Sequence, residues 1–384
     1  MTEQLDTWSE DFEAFHARFA HLFSRSETRE QAAKYMRGLM AKIERKNGWQ
    51  IAEEIGDNTP DRTQRLLYSS HWGWDGARDE LQYFVIETFG DDNGVGIVDE
   101  TGFLKKGDCS VGVKRQYSGT AGKVENCQIG TFLCYATPSS HVFLDRRLYL
   151  PGTWCADQER RARAKVPVEV EFQTKPEQAI EMLEYAWEQG VPMHWVTGDE
   201  VYGDSPTLRD TVESHGKLYV LAVSSNTPVF EQTPVEGPAP ATVASVVSTW
   251  PAQQWERLTT AQGEKGPLIY DWGRMRVVES RDGLPGPDGW LLARCSVSDP
   301  EDIAYYLSNA PVEATLMELA RVACIRYTVE QCIEEAKGET GLDEYEVRYW
   351  HSWHRHITLS MMAHAWLASI RHKELGKKGV MIQS

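Results

Sequence analysis

The chain has 384 residues, of which 41% are hydrophobic, enough for a sizeable core and for two or three domains. No segment approaches the roughly 20 apolar residues that span a bilayer, and the first residues lack a basic stretch followed by an apolar one. We therefore expect a cytoplasmic protein with no membrane partner. The seven cysteines are odd in number and never spaced as CxxC, which argues against a disulfide framework and a zinc ribbon.

The formal net charge of −17 opposes nucleic-acid binding, because DNA affinity depends on neutralising phosphates with Lys and Arg. The charge is unevenly distributed: residues 101–165 carry eleven basic and five acidic residues, a local net of +6, so the remainder carries −23. Such a basic stripe suits a phosphate track, and a solvated surface is the alternative interpretation. Its basic residues are Lys105, Lys106, Lys114, Arg115, Lys123, Arg146, Arg147, Arg160, Arg161, Arg163 and Lys165.

The first predicted elements are helices. Phenylalanines recur at spacings of three and four within residues 8–47, and Asn47-Gly48 is expected to end this run as a C-cap. A second helical stretch covers about residues 61–89. We interpret residues 1–90 as an N-terminal helical domain whose aromatic stripe forms its core.

Short strands and helices follow. Strands are predicted at 94–99, 126–136, 141–150, 192–196 and 217–223, with helices at 175–190 and 205–214. Asp99 ends the first strand, Asp199 follows the fourth, and Glu330 lies on a later helix. This order is typical of the ribonuclease-H-like fold, in which the first and fourth strands are neighbours. We therefore predict an α/β protein with a mixed sheet flanked by helices.

An interruption separates the fifth strand from the helix of Glu330. Residues 225–309 begin with proline-rich turns, including residues 234–240, and continue with strand-like runs; four tryptophans fall within this segment. We predict a β-rich inserted domain here. The catalytic domain then comprises residues 91–224 and residues 310–384, the latter with the C-terminal helices.

Asp99, Asp199 and Glu330 together suggest a carboxylate cage for divalent metals, which stabilise charge on both oxygens of a phosphodiester displacement. Each residue has a simpler interpretation. The aspartates could form turns after strands, and Glu330 could pair with Arg326 one helical turn away. The rivals for the third carboxylate are Glu334, Glu335 and Glu339.

The chain resembles insertion-sequence transposases of the DDE superfamily, in the cut-and-paste branch with a β-rich insertion before the catalytic glutamate. In that branch a tyrosine, two residues, an arginine, three residues, a glutamate, six residues and a lysine follow in order. Arg326, Glu330 and Lys337 hold this spacing, and Ala323 occupies the tyrosine position. Further family-like blocks are residues 110–119, 122–128 and 355–359.

The resemblance implies a transposase that cleaves DNA at element ends and joins the freed strand to target DNA. It implies two Mg²⁺ ions, replaceable by Mn²⁺, held by the three carboxylates. The partner would be double-stranded DNA, bound by a homodimer, with a monomer as the alternative for the free protein. Residues 1–90 would bind the element ends, and the DNA-bound protein would lie on the nucleoid. The expected DNA-binding residues are Arg326, Lys337, Lys105, Lys114, Arg115, Lys123 and Trp290, the last a candidate for base stacking or for the core.

Two other functions and one other site stay open. The chain could be a domesticated transposase-like protein that binds DNA without moving it, or a metal-dependent hydrolase of another phosphoester. The histidines near the C-terminus could bind zinc, but their spacing lacks HExxH and favours helix packing or contact with DNA. They are His351, His354, His356, His364 and His372.

Overall fold

The computed structural model describes residues 2–231, 239–263 and 266–383. Residues 234–238 of the predicted proline-rich turn lie outside these ranges. The helices are α1 Thr2–Ala17, α2 Ser26–Met40, α3 Gly48–Glu54, α4 Asp61–Tyr68, α5 Trp74–Phe89, α6 Gly152–Cys155, α7 Gln158–Arg163, α8 Lys175–Glu188, α9 Glu200–Gly203, α10 Pro206–Ser214, α11 Val243–Ser248, α12 Leu316–Ile325, α13 Tyr327–Thr340 and α14 Trp350–Gln383. The strands are β1 Gly94–Leu104, β2 Lys114–Ser118, β3 Lys123–Thr137, β4 Ser140–Leu148, β5 Met193–Gly198, β6 Leu218–Val223, β7 Pro228–Phe230, β8 Ala241–Thr242, β9 Glu256–Gly263, β10 Gly266–Arg281, β11 Leu284–Ser296 and β12 Ile303–Ser308.

Within these residues the strands form one twelve-stranded mixed sheet in the order β2-β3-β1-β5-β6-β12-β11-β10-β7-β8, with β4 beside β3 and β9 beside β10. Strand β1 is antiparallel to β3 and parallel to β5, which is parallel to β6. The first and fourth predicted strands are therefore neighbours. The predicted ribonuclease-H-like sheet flanked by helices is confirmed.

The segment predicted as an inserted domain is β-rich in its described parts, and it continues the central sheet. Its last strand, β12, pairs antiparallel with β6, from Tyr305 opposite Val223 to Leu307 opposite Leu221. Strands β11 and β10 then extend the sheet outward. The division at residues 225 and 309 stays a prediction, since the hydrogen-bonded sheet crosses both limits.

Two local predictions were wrong. Asn47 does not end a helix: α2 ends at Met40, and the Asn47 side chain accepts hydrogen bonds from the backbone N–H groups of Trp49 and Gln50, so it caps the start of α3. Strand β1 does not end at Asp99, because its pairing with β3 continues from Asp99 opposite Phe132 to Leu104 opposite Cys127. Strand β2, which forms a hairpin with β3, was missed.

Strand β4 is buried on both faces, although its alternating sequence predicts one polar face. Asp145 and Arg146 are fully buried, and Arg146 bonds Thr358 of α14 and Asp75 of α5. Arg161, also in the predicted basic stripe, is buried and donates to the carbonyls of residues 167 and 170. Part of the basic stripe is thus internal. No helix of the described chain is long and apolar enough to cross a membrane.

Candidate active site

Asp99 and Asp199 lie next to each other where β1 and β5 separate. The parallel pairing of these strands ends at Val98 opposite Gly198. A Cβ atom at Gly198 would lie 2.8 Å from a methyl group of Val98, so the close approach of the strands requires glycine. Asp199 then caps α9, its Oδ1 accepting the backbone N–H of Val201 at 2.9 Å. The residue that follows the last paired residue is therefore an aspartate in both segments, Asp99 after Val98 and Asp199 after Gly198.

One face of α13 lies over this part of β1. Arg326, at the junction of α12 and α13, places Nη1 4.0 Å from Asp99 Oδ2 and Nη2 3.5 Å from Glu330 Oε1. Lys337, two turns after Glu330, donates from Nζ to Thr101 Oγ1 at 2.8 Å. Glu330 keeps 55% of its side chain exposed. The structure thus places Arg326 beside Asp99, Glu330 on the other side of Arg326, and Lys337 against β1 at Thr101.

The rival glutamates of α13 have other surroundings. Glu335 contacts His141, His364 and Arg371, and Glu339 lies 3.8 Å from Arg371. Glu334 is exposed one turn beyond Glu330. Glu330 is linked to Asp99 through Arg326, which favours it as the third carboxylate. Its role as a metal ligand stays a prediction.

The carboxylates at this site are crowded. Burial, then the charges of Asp199 and Glu100, raise the pKa of Asp99 to about 7. Burial and Glu100 likewise raise the pKa of Asp199, and Arg326 offsets only part of this effect. Adjacent carboxylates with raised pKa values are stabilised by added positive charge. Their hard oxygen donors fit a divalent cation of the Mg²⁺ type.

Glu100 is a site residue that sequence reasoning missed. Its carboxylate accepts a hydrogen bond from the Tyr202 hydroxyl at 2.8 Å and forms an ion pair with Lys175 of α8. Tyr202 is fully buried directly behind Asp199. This network fixes the backbone on both sides of the aspartate pair. The sequence signals this network only in that Glu100 directly follows Asp99 and Tyr202 lies three residues after Asp199.

The predicted DNA-binding residues lie in different surroundings. Lys114 and Arg115 are exposed on β2, and Lys123 is exposed at the start of β3, where it pairs with Glu125. Lys105 instead contacts Tyr345. Its Nζ donates to the Tyr345 carbonyl and lies 3.5 Å from the centre of the Tyr345 ring. Burial lowers the pKa of Lys105 to about 8. The exposed cations of the β2–β3 hairpin are available to phosphates.

Trp290 is 8% exposed and lies on β11, between β10 and β12 in the sheet. Its indole Nε1 donates to the Pro311 carbonyl at 3.3 Å, and the guanidinium groups of Arg274 and Arg276 lie 4.2 and 5.0 Å from its ring centre. Stacking on a base would require both arginines to move. A DNA contact by Trp290 stays a prediction.

Most of the C-terminal histidines pack within the protein. His356 is fully buried between the Tyr35 hydroxyl and the Gly341 carbonyl, and His354 contacts the Trp350 carbonyl. His351 contacts the Tyr68 carbonyl, and His372 contacts the Ser140 hydroxyl. These contacts agree with helix packing. His364 differs, because it lies beside His141 and Glu335.

Metal-free protein is expected to be more stable with asparagine than with aspartate at position 99 at pH 8. Asp99 releases its proton near pH 7 when folded and near its ordinary value of 3.8 when unfolded. Rising pH between these values therefore favours the unfolded state, and the loss of stability is complete above pH 7. One pKa unit corresponds to about 1.4 kcal/mol, and solvent screens part of the effect. Asp99→Asn should therefore raise the free energy of unfolding at pH 8 by on the order of 3 kcal/mol.

Urea unfolding in chelator at pH 8 and pH 5 measures this effect, which should shrink at the lower pH. Glu334→Gln is the matched control, since it removes an exposed carboxylate of the same region. A stability of Asp99→Asn equal to that of the wild type at pH 8 would show that Asp99 is not under electrostatic strain.

The ribonuclease-H-like sheet thus carries two aspartates where the pairing of β1 with β5 ends, and a glutamate lies on the later helix α13. A family described as "DDE superfamily endonuclease" matches residues 18–267, well over half of the chain. The chain belongs to this family. Asp99 and Asp199 lie inside the matched residues and Glu330 lies beyond them, so the assignment of Glu330 depends on motif spacing and geometry.

The chain is also similar to individual proteins. It is 23% identical over 328 residues to a probable transposase for insertion sequence element IS701 of Microchaete diplosiphon, covering 83% of this chain and 77% of that protein. A cryo-EM structure of the piggyBac transposase synaptic complex with hairpin DNA aligns with a TM-score of 0.46 and 11% identity, covering 92% of this chain and 68% of that one. The family match and the IS701 relative confirm the predicted enzyme, an insertion-sequence transposase of the DDE superfamily.

Proposed function

We propose that this transposase cleaves the phosphodiester backbone at the ends of its element and joins the freed 3′-hydroxyl to target DNA, using Asp99, Asp199 and Glu330 to hold divalent metal ions. The observation that carries the proposal is the position of these carboxylates: the aspartates adjoin at the end of the β1–β5 pairing, and Arg326 lies between Asp99 and Glu330. Two adjoining aspartates, with a glutamate on the other side of a shared arginine, are suited to metal binding.

The proposed cofactor is Mg²⁺, with Mn²⁺ as a substitute and two ions per site. Carboxylate oxygens are the ligands that these hard cations prefer. Two ions bound here would neutralise charge on the attacking and leaving oxygens of the displacement. The raised pKa values of Asp99 and Asp199 support this proposal, because carboxylates held close without full neutralisation favour a cation.

The neighbouring cations have complementary roles in this proposal. The Arg326 guanidinium, which already spans Asp99 and Glu330, can present two N–H groups to one phosphate. Lys337 holds a single charge two turns further along α13, with its Nζ fixed by Thr101 and by Thr120 at 3.1 Å. We expect Arg326 to contact the cleaved phosphate and Lys337 a neighbouring one.

The proposed partners are the double-stranded ends of the element and its target DNA. Lys114, Arg115 and Lys123 extend the positive surface away from the carboxylates along the β2–β3 hairpin, which offsets the acidic balance of the chain locally. The proposal also includes end binding by residues 1–90, a homodimer assembled on two ends, and an intracellular location on the nucleoid set by the DNA substrate.

A cleavage assay with the DNA that flanks the gene tests this function. Wild-type protein should nick a duplex carrying the element ends only with Mg²⁺ or Mn²⁺, and its DNA affinity should fall steeply with salt. Binding without nicking would favour a domesticated DNA-binding protein. Turnover of small phosphoesters, with DNA binding that varies little with salt, would favour a hydrolase of another substrate.

A further inference from the structure

A second cluster of ligand-type side chains lies on another face of α13. His141 at the start of β4, Glu335 of α13 and His364 of α14 bring a ring nitrogen, a carboxylate oxygen and a second ring nitrogen within 4.8 Å of one another. Glu335 follows Glu330 by five residues, so the two side chains leave α13 roughly 140° apart. The cluster is therefore separate from the carboxylates of the proposed active site.

The distances in the cluster approach those of a coordination shell. Glu335 Oε2 lies 3.1 Å from His141 Nε2 and 3.5 Å from His364 Nε2. A tetrahedral ion with ligand bonds of 2.0–2.1 Å separates its ligand atoms by about 3.3 Å. Only small side-chain shifts would be needed to admit an ion among these three atoms.

The protonation states and surroundings also suit ligands. His364 is 2% exposed, and burial lowers its pKa, which favours the neutral imidazole that can bind metal. Although burial opposes ionisation of Glu335, hydrogen bonds with both histidines and with Arg371 lower its pKa. Arg371 Nη1 lies 2.9 Å from Oε1 and 3.0 Å from Oε2; it orients the carboxylate and would keep its bond to Oε1 when Oε2 takes an ion.

An adjoining cavity gives access to the cluster. This cavity of about 540 Å³ is lined by His141 and Arg371, and by Tyr327, Thr328 and Gln331 of α13. It can admit an ion past His141 and hold a water molecule as a fourth ligand. Three protein ligands and one open position match the composition of many zinc sites.

We propose that His141, Glu335 and His364 bind a divalent transition metal of the Zn²⁺ type. Two imidazole nitrogens favour Zn²⁺ over Mg²⁺, which prefers an all-oxygen shell. The ion would join β4, α13 and α14, and so fix the helix that carries Glu330. This site is independent of the proposed reaction, since none of its residues belongs to the carboxylate cluster.

Cobalt titration of the untagged, chelator-treated full chain tests the proposal. Excess Mg²⁺ is included to occupy the carboxylate site, and Co²⁺ serves as the spectroscopic probe. We expect about one Co²⁺ per chain with the visible bands of a tetrahedral ion, displaced by Zn²⁺. Glu335→Gln and His141→Gln should each bind at least tenfold more weakly, and Zn²⁺ should raise the unfolding temperature of the wild type but not of these two variants.

The controls separate ligand loss from misfolding. Glu334→Gln and His71→Gln alter exposed residues outside the cluster and should bind as the wild type does. Circular dichroism in chelator checks the fold of each variant, and the partly exposed His141 gives a second test if Glu335→Gln fails to fold. Absence of tetrahedral bands in the wild type, or equal binding by a folded Glu335→Gln or His141→Gln variant, would overturn the proposal and leave a hydrogen-bonded triad.

Discussion

Glu330→Gln is expected to lower DNA cleavage by on the order of 1,000-fold or more, because metal-ion stabilisation of the transition state amounts to several kcal/mol. The side chain is 55% exposed and its contact in the described structure is with Arg326 at 3.5 Å, so the fold should tolerate the amide. DNA binding should change little. Single-turnover cleavage of an end-bearing duplex, with a parallel binding measurement, separates the two effects.

Glu334→Gln is the matched control for this prediction. It removes the same charge from the same helix one turn away, at another exposed position. Its cleavage rate should stay within about threefold of the wild type, since only long-range electrostatics change. If Glu334→Gln were as damaging as Glu330→Gln, or if Glu330→Gln cleaved normally, the assignment of the third carboxylate would be wrong.

Asp145→Asn is expected to destabilise the protein by about 3–5 kcal/mol, the range for breaking a buried ion pair. Asp145 is fully buried, with its oxygens 2.9 Å from Arg147, 2.8 Å from Arg78 and 3.2 Å from Arg146. Although burial opposes ionisation, these guanidinium groups lower its pKa to about 2. Its contribution to stability is therefore complete above pH 4 and is lost as pH falls towards 2.

Asp271→Asn is the control for the buried pair. Asp271 forms a two-bond ion pair with Arg257, whose side chain is 60% exposed, and such surface pairs contribute about 0–1 kcal/mol. Urea unfolding at pH 7 should separate the two variants clearly. Equal losses of stability would mean that the Asp145 network does not hold β4 to α5 as the structure indicates.

The hydrophobic runs predicted the fold because strands β1, β3, β5 and β6 are apolar enough to be recognised without tertiary information. The errors occurred where a polar residue had an unforeseen partner. Asn47 can end one helix or cap the next, and only its contacts with Trp49 and Gln50 decide between them. Arg146 was counted in the basic stripe, yet it is buried beside Asp145, and one of the arginines that neutralise Asp145 is Arg78, 67 residues away in sequence.

The candidate site was predictable to the extent that it is encoded by spacing. Arg326, Glu330 and Lys337 occur at fixed intervals, the first just before α13 and the others on it, and Asp99 and Asp199 follow strand-like runs. Contacts between distant elements leave no such signal. The network of Glu100 with Lys175 and Tyr202, and the meeting of His141, Glu335 and His364, both depend on how three separate segments pack.

Metal rescue of Asp199→Cys tests the central claim, that these carboxylates are metal ligands, most directly. A thiolate binds Mg²⁺ poorly and softer cations well. The account predicts that Asp199→Cys loses cleavage with Mg²⁺ and recovers it with Mn²⁺ or Cd²⁺, whereas Asp199→Ala recovers with neither. Full activity of Asp199→Cys with Mg²⁺, or inactivity of a folded, DNA-binding Asp199→Cys protein with every cation, would contradict the account.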